Sequence, residues 1–254
     1  MGLYGSIDLA EVLFTLFWLF FIALVLYLHR ENKREGYPLE SDGPGTIVPE
    51  GFPKTPKPKK YLLTHGGTHE APRQEPREEV AAKPVAMYSG APLEPTGNPM
   101  LDGVGPAAWA NRRDEPDLTL DGRPRIIPMR HAEGFHVDHR DPNPIGMPVV
   151  AADGEVAGTI SDIWVDLTEP MVVFYEVDLP EERGGRNVLL PVNFCKVGRF
   201  TPEVKVRAIN ADQFAQVPAV ASDRQITKLE EDKIYGYYAG GTLYANAERL
   251  EPFV

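Results

Sequence analysis

Residues 12–28 read Val12-Leu-Phe-Thr-Leu-Phe-Trp-Leu-Phe-Phe-Ile-Ala-Leu-Val-Leu-Tyr-Leu28, with no charged side chain and only Thr15 as a small polar one. As a helix, at about 1.5 Å per residue, this run spans roughly 26 Å, close to the thickness of a bilayer core. One segment cannot form a closed barrel, so in lipid only a helix satisfies its backbone groups. The alternative, a buried helix of a soluble core, normally keeps a polar face. The sequence therefore predicts a membrane-spanning helix over residues 12–28.

The charges that flank this helix predict its orientation. Asp8 and Glu11 precede it without any Lys or Arg, whereas His29-Arg-Glu-Asn-Lys-Arg34 follows it. A secretory signal peptide has the reverse arrangement, with positive charge before the apolar run. The positive-inside rule places residues 1–11 outside and the chain after His29 in the cytoplasm.

Three basic residues of this flank, Arg30, Lys33 and Arg34, are predicted to contact the phosphates of membrane lipids. An ordinary stop-transfer charge cluster, without a specific lipid, is the alternative.

The composition excludes some classes of partner. The chain has 254 residues and a formal net charge of −11, which argues against a nucleic acid partner. Its single cysteine, Cys195, cannot form a disulfide within the chain, which agrees with a reducing compartment. The apolar residues around Cys195 indicate a small buried side chain rather than a nucleophile.

Residues 29–142 are predicted to form an extended segment that lies on the surface of partner subunits. Residues 38–148 contain 19 of the 25 prolines, a spacing that neither a regular helix nor a strand tolerates. A flexible linker is the default for such composition, but a linker has no use for large apolar residues. The apolar residues of this segment are Phe52, Tyr61, Leu62, Leu63, Met87, Tyr88, Leu93, Met100, Leu101, Val104 and Trp109.

Residues 143–254 show the pattern of a mainly-β domain. Ala152-Asp153-Gly154 is a hairpin turn, and residues 172–179 alternate between apolar and polar side chains. Short strands at this spacing indicate a small antiparallel barrel. Thr227-Lys-Leu-Glu230 is a capping box that opens a helix, which the pair Gly240-Gly241 is expected to end. The predicted fold class is thus one N-terminal transmembrane α-helix, a mainly-β cytoplasmic domain and a short C-terminal helix.

Several strings in one order resemble the H subunit of the photosynthetic reaction centre of purple bacteria. They are Arg34-Glu-Gly-Tyr-Pro-Leu-Glu40, Pro95-Thr-Gly-Asn-Pro-Met100, Gly103-Val-Gly-Pro-Ala107, Ile127-Pro-Met129, Ser161-Asp-Ile-Trp-Val-Asp166, Glu230-Glu-Asp-Lys233 and Tyr238-Ala-Gly-Gly241. The region from Asn143 to about Lys196 also resembles the PRC-barrel family.

The resemblance implies an accessory, non-enzymatic subunit of a light-driven electron-transfer complex in the bacterial inner, intracytoplasmic photosynthetic membrane. The N-terminus would be periplasmic, and the cytoplasmic domain would cap the L and M subunits and help to conduct protons to the secondary quinone. The chain itself would bind no cofactor. The partner subunits would hold bacteriochlorophyll, bacteriopheophytin, quinones, non-haem iron and carotenoid. A cytochrome subunit and a light-harvesting ring are possible further partners, beside membrane lipids.

The resemblance also carries three candidate proton-transfer residues onto this chain. Glu169 matches the family's carboxylate near the secondary quinone pathway, Asp166 its neighbour, and Asp121 the carboxylate near the proton entrance. Some relatives have metal-binding histidines just after that entrance, where this chain has Arg123 and Arg125. An always-charged guanidinium neither relays protons nor ligates a metal, so no metal site is expected there.

Two other hypotheses stay open on sequence alone. One is a membrane-tethered PRC-barrel adaptor for another cytoplasmic protein. The other is an enzyme whose site lies among His131, His136 and His139, although their spacing matches no standard zinc pattern.

Overall fold

A computed structural model describes residues 8–37, 39, 51–64, 66–73, 79–88 and 90–250. Residues 1–7 of the predicted periplasmic N-terminus lie outside the described residues. The chain forms two compact units, the first from Met1–Glu78 with Ala86–Pro92 and the second from Glu79–Val85 with Leu93–Val254.

The first unit contains the apolar helix α1, Leu9–Glu31. It starts three residues before and ends three residues after the predicted span of 12–28. Its start is fixed by the Asp8 side chain, which caps the helix by accepting from Ala10 N at 2.9 Å. No residue of α1 is buried, and the apolar helix together with the following turn, Leu9–Arg34, is long and apolar enough to cross a membrane. The hydroxyl of Thr15 donates to Glu11 O at 2.8 Å, so the polar group inside the span is satisfied within the helix.

After α1, the first unit adds a turn and a small hairpin. A short 3-10 helix, Asn32–Arg34, is followed by the antiparallel strands β1, Lys59–Leu62, and β2, Thr68–Ala71. The guanidinium of Arg34 donates to Lys57 O at 2.8 Å and to Ala71 O at 3.0 Å. These bonds attach the base of the hairpin to the end of the helix.

The second unit is a curled seven-stranded sheet with a helix packed on it. Strands β3, Ala82–Pro84, and β4, Leu93–Pro95, form a separate two-stranded ribbon, and α2, Pro99–Asp102, follows. The sheet strands are β5 Ile126–Pro128, β6 Pro148–Val150, β7 Val156–Asp166, β8 Met171–Asp178, β9 Asn187–Pro191, β10 Cys195–Val197 and β11 Val204–Val206. The last helix is α3, Lys228–Tyr244.

The sheet order is β10-β11-β6-β7-β8-β9, and β5 pairs with β7 beside this path. Only the β11–β6 pair is parallel, and the register of β7 shifts against both β6 and β8. Such bulges bend a strand and increase its twist, which curls the sheet. The mainly-β fold class with a C-terminal helix is thereby confirmed.

Strand β7 is covered on both faces. Ile160 and Trp164 enter the main core with Phe174, Phe214 and Tyr238. Ile163 and Val165, on the opposite face, pack against side chains of the loop that follows β5, which include Met129, Phe135 and Val137. The four residues of β7 that follow Asp162 are therefore all buried. A strand with one face in solvent would instead alternate between buried and exposed side chains.

Two expectations about the Pro-rich segment need correction. Met100 and Val104 are buried within the second unit, in a stretch that packs on α3, rather than being available to a partner. The sheet also includes β5, so this unit begins well before residue 143. By contrast, Phe52 and Met87 are exposed, and the contact of this segment with partner subunits stays a prediction.

The glycine pair does not end α3, which runs on to Tyr244. A Cβ on Gly240 would lie 2.5 Å from the Cβ of Ala107, and one on Gly241 would lie 2.3 Å from Ile209 Cγ2. The pair permits close packing of the helix on its neighbours, and the prediction of a helix stop at this point is wrong.

Candidate functional site

The candidate site is the turn between β7 and β8 together with the loop that precedes β5. Asp166 is the last residue of β7, and the residue as a whole is buried. Its Oδ1 accepts from the backbone N–H groups of Thr168, at 2.7 Å, and Glu169, at 3.1 Å. A carboxylate that caps the two following amides is the usual way in which Asp fixes a tight turn. Asp166 thus determines where the backbone of Glu169 lies.

The other oxygen of Asp166 binds an arginine. Arg125 Nε donates to Asp166 Oδ2 at 2.6 Å, and this hydrogen bond raises the pKa of Arg125 above its usual value. The backbone is joined at the same place, since Leu167 N donates to Arg125 O at 2.9 Å. Arg125 therefore stays a permanent cation at the base of the turn, where the negative charge of Glu169 also acts on it.

Arg125 continues into a chain of alternating charges that ends on α3. Its Nη1 lies 3.5 Å from Asp117 Oδ2, and Lys228 Nζ lies 3.4 Å from Asp117 Oδ1. Burial opposes ionisation of Asp117, but the hydrogen bond from Lys228 and the charges of Lys228 and Arg125 outweigh it and lower its pKa. The order Asp166, Arg125, Asp117, Lys228 links the hairpin turn to the first turn of α3.

Glu169 and Asp121 are both exposed, and they lie in two different turns. Glu169 lies in the β7–β8 turn, one residue before Pro170, with an exposed side chain. Asp121 lies in the turn of the 117–125 loop, where its side chain is 78 % exposed and Arg123 Nη2 is 3.8 Å from its carboxylate. Within the described part of the chain no hydrogen bond or ion pair joins Asp121 to Asp166 or Glu169. The structure brings Asp166 and Glu169 together and leaves Asp121 at the far end of the loop.

A carboxyl group that the sequence did not single out lies near this chain of charges. Glu231, on the first turn of α3, is half-buried, and burial together with the neighbouring Asp232 raises its pKa. Asp117 and Arg125 act on it electrostatically as well. A carboxyl whose pKa is raised can take up a proton at milder pH than an exposed one. Its only sequence signal was its place in the run Glu230-Glu-Asp-Lys233.

A second, buried network of charges serves the fold of the sheet. Arg130 Nη1 donates to Asp162 Oδ2 and to Glu176 Oε2, both at 2.8 Å. Trp164 Nε1 also donates to Glu176 Oε2, at 2.9 Å, and Asn187 Nδ2 donates to Glu176 Oε1 at 2.6 Å. The three donors come from different elements, because Arg130 follows β5, Trp164 lies in β7 and Asn187 lies in β9. The network therefore fixes the β5–β7 and β8–β9 pairs relative to each other.

Among the residues that the structure describes, the histidines form no comparable site. His139 Nδ1 lies 3.4 Å from Asp138 Oδ1, while Arg140 binds the same carboxylate with two nitrogens and lowers the pKa of Asp138. Over the described ranges, no group of three or more His, Cys, Asp or Glu side chains is placed to hold a metal ion. Burial raises the pKa of Cys195 to about 12, so it remains a thiol.

Of the three predicted lipid-contacting residues, two bind other parts of the chain and one is exposed. Lys33 is 4 % exposed and its Nζ donates to Pro53 O at 2.7 Å, while Arg34 binds Glu31 and two backbone carbonyls. Both side chains are used by the fold, which differs from the predicted role at the lipid surface. Arg30 is exposed.

The comparison with known families decides the identity. The family model described as photosynthetic reaction centre, H-chain N-terminal region, matches residues 1–131, just over half of the chain. The chain belongs to the photosynthetic reaction centre H-chain family. A second model, the PRC-barrel domain, matches residues 136–208, which cover β6 to β11.

Membership of the H-chain family, with the apolar helix α1, makes the chain a single-pass membrane subunit of a photosynthetic reaction centre. The H-chain is an accessory subunit that works in a complex with other reaction-centre subunits. The site built from Asp166, Arg125 and Glu169 therefore belongs to a protein that works beside a photochemical core.

Proposed function

We propose that this H-chain caps the L and M subunits on the cytoplasmic side and conducts protons to the secondary quinone. The pigments, quinones, iron and carotenoid are assigned to the partner subunits. The bacterial inner, photosynthetic membrane is the proposed location, with the N-terminus in the periplasm. The support for this orientation is the flank of α1, with Glu11 in its first turn and His29 and Arg30 in its last.

The observation that carries the proton-conducting role is the placement of Glu169. Its exposed carboxylate stands in a turn that Asp166 and Arg125 hold in one conformation. A proton carrier must present its carboxylate at a fixed position and still reach water on one side. Asp166, with three donors on its carboxylate, acts in this proposal as the positioning residue rather than as a carrier.

Glu231 and Asp121 extend the proposal toward solvent. Asp121 offers an exposed carboxylate on the loop that Arg125 anchors, and Glu231 offers a half-buried carboxyl with a raised pKa. Glu231 interacts electrostatically with Asp232 and Asp117, and carboxylates that interact share protons and titrate over a broad range, which suits a path that must work at varying pH.

The test is flash kinetics on the isolated reaction centre that carries Glu169→Gln. Removing a positioned proton carrier should slow the proton-coupled second electron transfer about a hundredfold, which is near the lower end of the range for the loss of a group that transfers protons in a reaction. The matched control is Glu182→Gln, which removes an exposed carboxylate from a turn on another part of the sheet. A Glu169→Gln complex that reduces the quinone at the wild-type rate would remove Glu169 from the path.

The adaptor hypothesis makes a different prediction for the same preparation. The chain purified from membranes in mild detergent should carry bacteriochlorophyll absorbance through its partners if it caps L and M. A colourless, pigment-free complex would instead support the adaptor.

A further inference from the structure

A cleft lined by positive charge lies where strands β10 and β11 meet the last turn of α3. Its volume is about 510 Å³. Of the nine described residues that line it, four are basic and none is acidic. The four basic residues are Lys196, Lys205, Arg207 and Arg249. The cleft is thus a local excess of positive charge in a chain whose formal net charge is −11.

The register of β10 and β11 holds two of these cations side by side. Lys196 is the cross-strand partner of Lys205 in this antiparallel pair, and both are exposed. Arg207 follows Lys205 on the same face, because Val206 between them is buried. Directly opposed side chains have Cβ atoms about 5 Å apart, and diagonal ones lie about 7 Å apart. Like charges in this arrangement destabilise a strand pair, so the sheet itself does not gain from them.

Only part of this charge is neutralised by the fold. Lys205 Nζ lies 3.1 Å from Glu203 Oε1. Over the part of the chain that the structure describes, the side chains of Lys196 and Arg207 form no ion pair with a carboxylate. These two exposed cations are therefore available to an anionic ligand.

Arg249 is the fixed cation of the cleft. Its Nη1 donates to Ala208 O at 2.8 Å and to Gly241 O at 2.7 Å, and its Nη2 donates to Arg207 O at 2.9 Å. A guanidinium carries five N–H donors, so these three bonds do not use all of them. Because backbone groups from α3 and from the chain after β11 hold this side chain, little conformational entropy is lost when an anion binds to it.

The spacing of the cations favours an extended acidic segment over one small anion. Lys205 and Arg207 are two residues apart on one face of a strand, a separation of roughly 7 Å. Alternate side chains of an extended peptide have the same spacing, so carboxylates at positions i and i+2 can contact both cations. A single phosphate would instead require both long side chains to converge on one point.

The exposure of the cations favours a partner that binds and leaves. Interfaces between permanent subunits resemble a protein core and are largely apolar, whereas transient interfaces are smaller and more polar. Exposed charges at a docking site raise the association rate of an oppositely charged partner more than its affinity.

We propose that this cleft docks an extended acidic segment of a protein that binds the reaction centre transiently. Carboxylates two residues apart on that segment contact Lys205 and Arg207, and Lys196 and Arg249 lie beside them for a third. The proposal does not rest on the proton-conducting role, since none of these four cations belongs to the ion-pair chain that ends on Asp166.

The test is fluorescence anisotropy of the isolated reaction centre with a labelled peptide, Thr-Glu-Val-Glu-Thr-Glu, whose carboxylates alternate. The wild-type complex should bind it at least tenfold more tightly than the same peptide with Gln in place of Glu. Lys196→Gln and Arg207→Gln should each weaken binding about fivefold, the factor that corresponds to about 1 kcal/mol for an exposed charge pair. The double variant should weaken binding by about twentyfold.

The control is Arg199→Gln, which removes an exposed cation from the loop between β10 and β11 that does not line the cleft. It should bind the peptide as the wild type does. A wild-type complex that does not bind the peptide, an unchanged double variant, or the same loss with Arg199→Gln would each overturn the proposal. Equal binding of Thr-Val-Thr-Glu-Glu-Glu would overturn it as well, since it would show a general attraction of anions. Tighter binding of a single-stranded oligonucleotide would identify a nucleic acid site instead.

A second measurement separates binding from folding. Lys196→Gln relieves the repulsion across the strand pair and should raise the thermal unfolding midpoint of the full chain without peptide by about 1–3 °C. A variant that binds weakly but is more stable is the mark of a residue kept for a ligand. A lower midpoint would show that Lys196 serves the fold and would contradict the proposal.

Discussion

Arg125 Nε lies 2.6 Å from Asp166 Oδ2, and this contact joins the loop before β5 to the end of β7. The Asp166 side chain is 5 % exposed and that of Arg125 is 32 % exposed, so the carboxylate of the pair is buried while the guanidinium is partly exposed to solvent. An ion pair of this kind fixes geometry more than it adds stability, because the carboxylate must first lose its water. Its consequence is a rigid turn beneath an exposed Glu169.

The first prediction concerns that ion pair. Arg125→Met leaves Asp166 as a buried charge without its cation and should lower the free energy of unfolding by about 3 kcal/mol, as measured by denaturation of the full chain in detergent. Arg123→Met is the control, because its contact with Asp121 is 3.8 Å long and exposed, and it should change stability by less than about 0.5 kcal/mol. Equal losses in the two variants would contradict the assigned difference between a buried and an exposed pair.

The second prediction concerns the pH dependence that Glu231 imposes. Since burial and Asp232 raise its pKa, the folded state binds the proton more tightly than the unfolded chain. Its contribution to stability is therefore complete below the ordinary pKa of about 4.5 and is lost as pH rises through the folded value. Glu231→Gln should accordingly be more stable than the wild type at pH 7 and gain little at pH 4, in thermal unfolding at both values.

The exposed acid variant Glu182→Gln should show no such difference between the two pH values. A Glu231→Gln protein that gains the same stability at pH 4 and pH 7 would show that the carboxyl does not titrate in this window.

The third prediction concerns the close packing of α3. Gly240→Ala would ordinarily stabilise a helix by about 1 kcal/mol, but here the new methyl meets the Cβ of Ala107 at 2.5 Å. The cost of overpacking should exceed the gain in helix propensity, so the free energy of unfolding should fall by about 1–3 kcal/mol in denaturant unfolding. Adding Ala107→Gly should restore part of the loss, because the two methyl groups occupy the same space. A stabilised single variant would indicate that the helix can shift at no cost.

The fourth prediction concerns the loop acid. Asp121→Asn should slow proton uptake less than Glu169→Gln does, because its exposed carboxylate can be replaced by water. The double variant should be slower than Glu169→Gln alone if both groups serve one path, in flash-induced proton uptake by the isolated complex. A double variant with the rate of Glu169→Gln would exclude Asp121 from that path.

The sequence by itself determined the elements whose signal is local. A continuous apolar run from Val12 to Leu28 can only be a helix in lipid, and the hairpin around Asp153-Gly154 follows from turn chemistry. The capping box at Thr227 and Glu230 opens α3 with both hydrogen bonds in place. The strings shared with the H-chain family supplied the candidate residues, since Glu169 and Asp166 carry no signal beyond that of ordinary loop acids.

Tertiary structure decided everything that depends on which distant residues meet. Gly240 carried the signal of a helix stop, yet it lies within the helix, where its lack of a Cβ leaves room for Ala107. Lys33 read as a lipid-facing cation, yet the carbonyl of Pro53 binds it inside the chain. Arg125 joins a residue 41 positions further along the chain, a partner that no local pattern specifies. Spacing along the chain encodes the periodicity of one element, whereas burial and charge pairing arise only when elements from different parts of the sequence pack together.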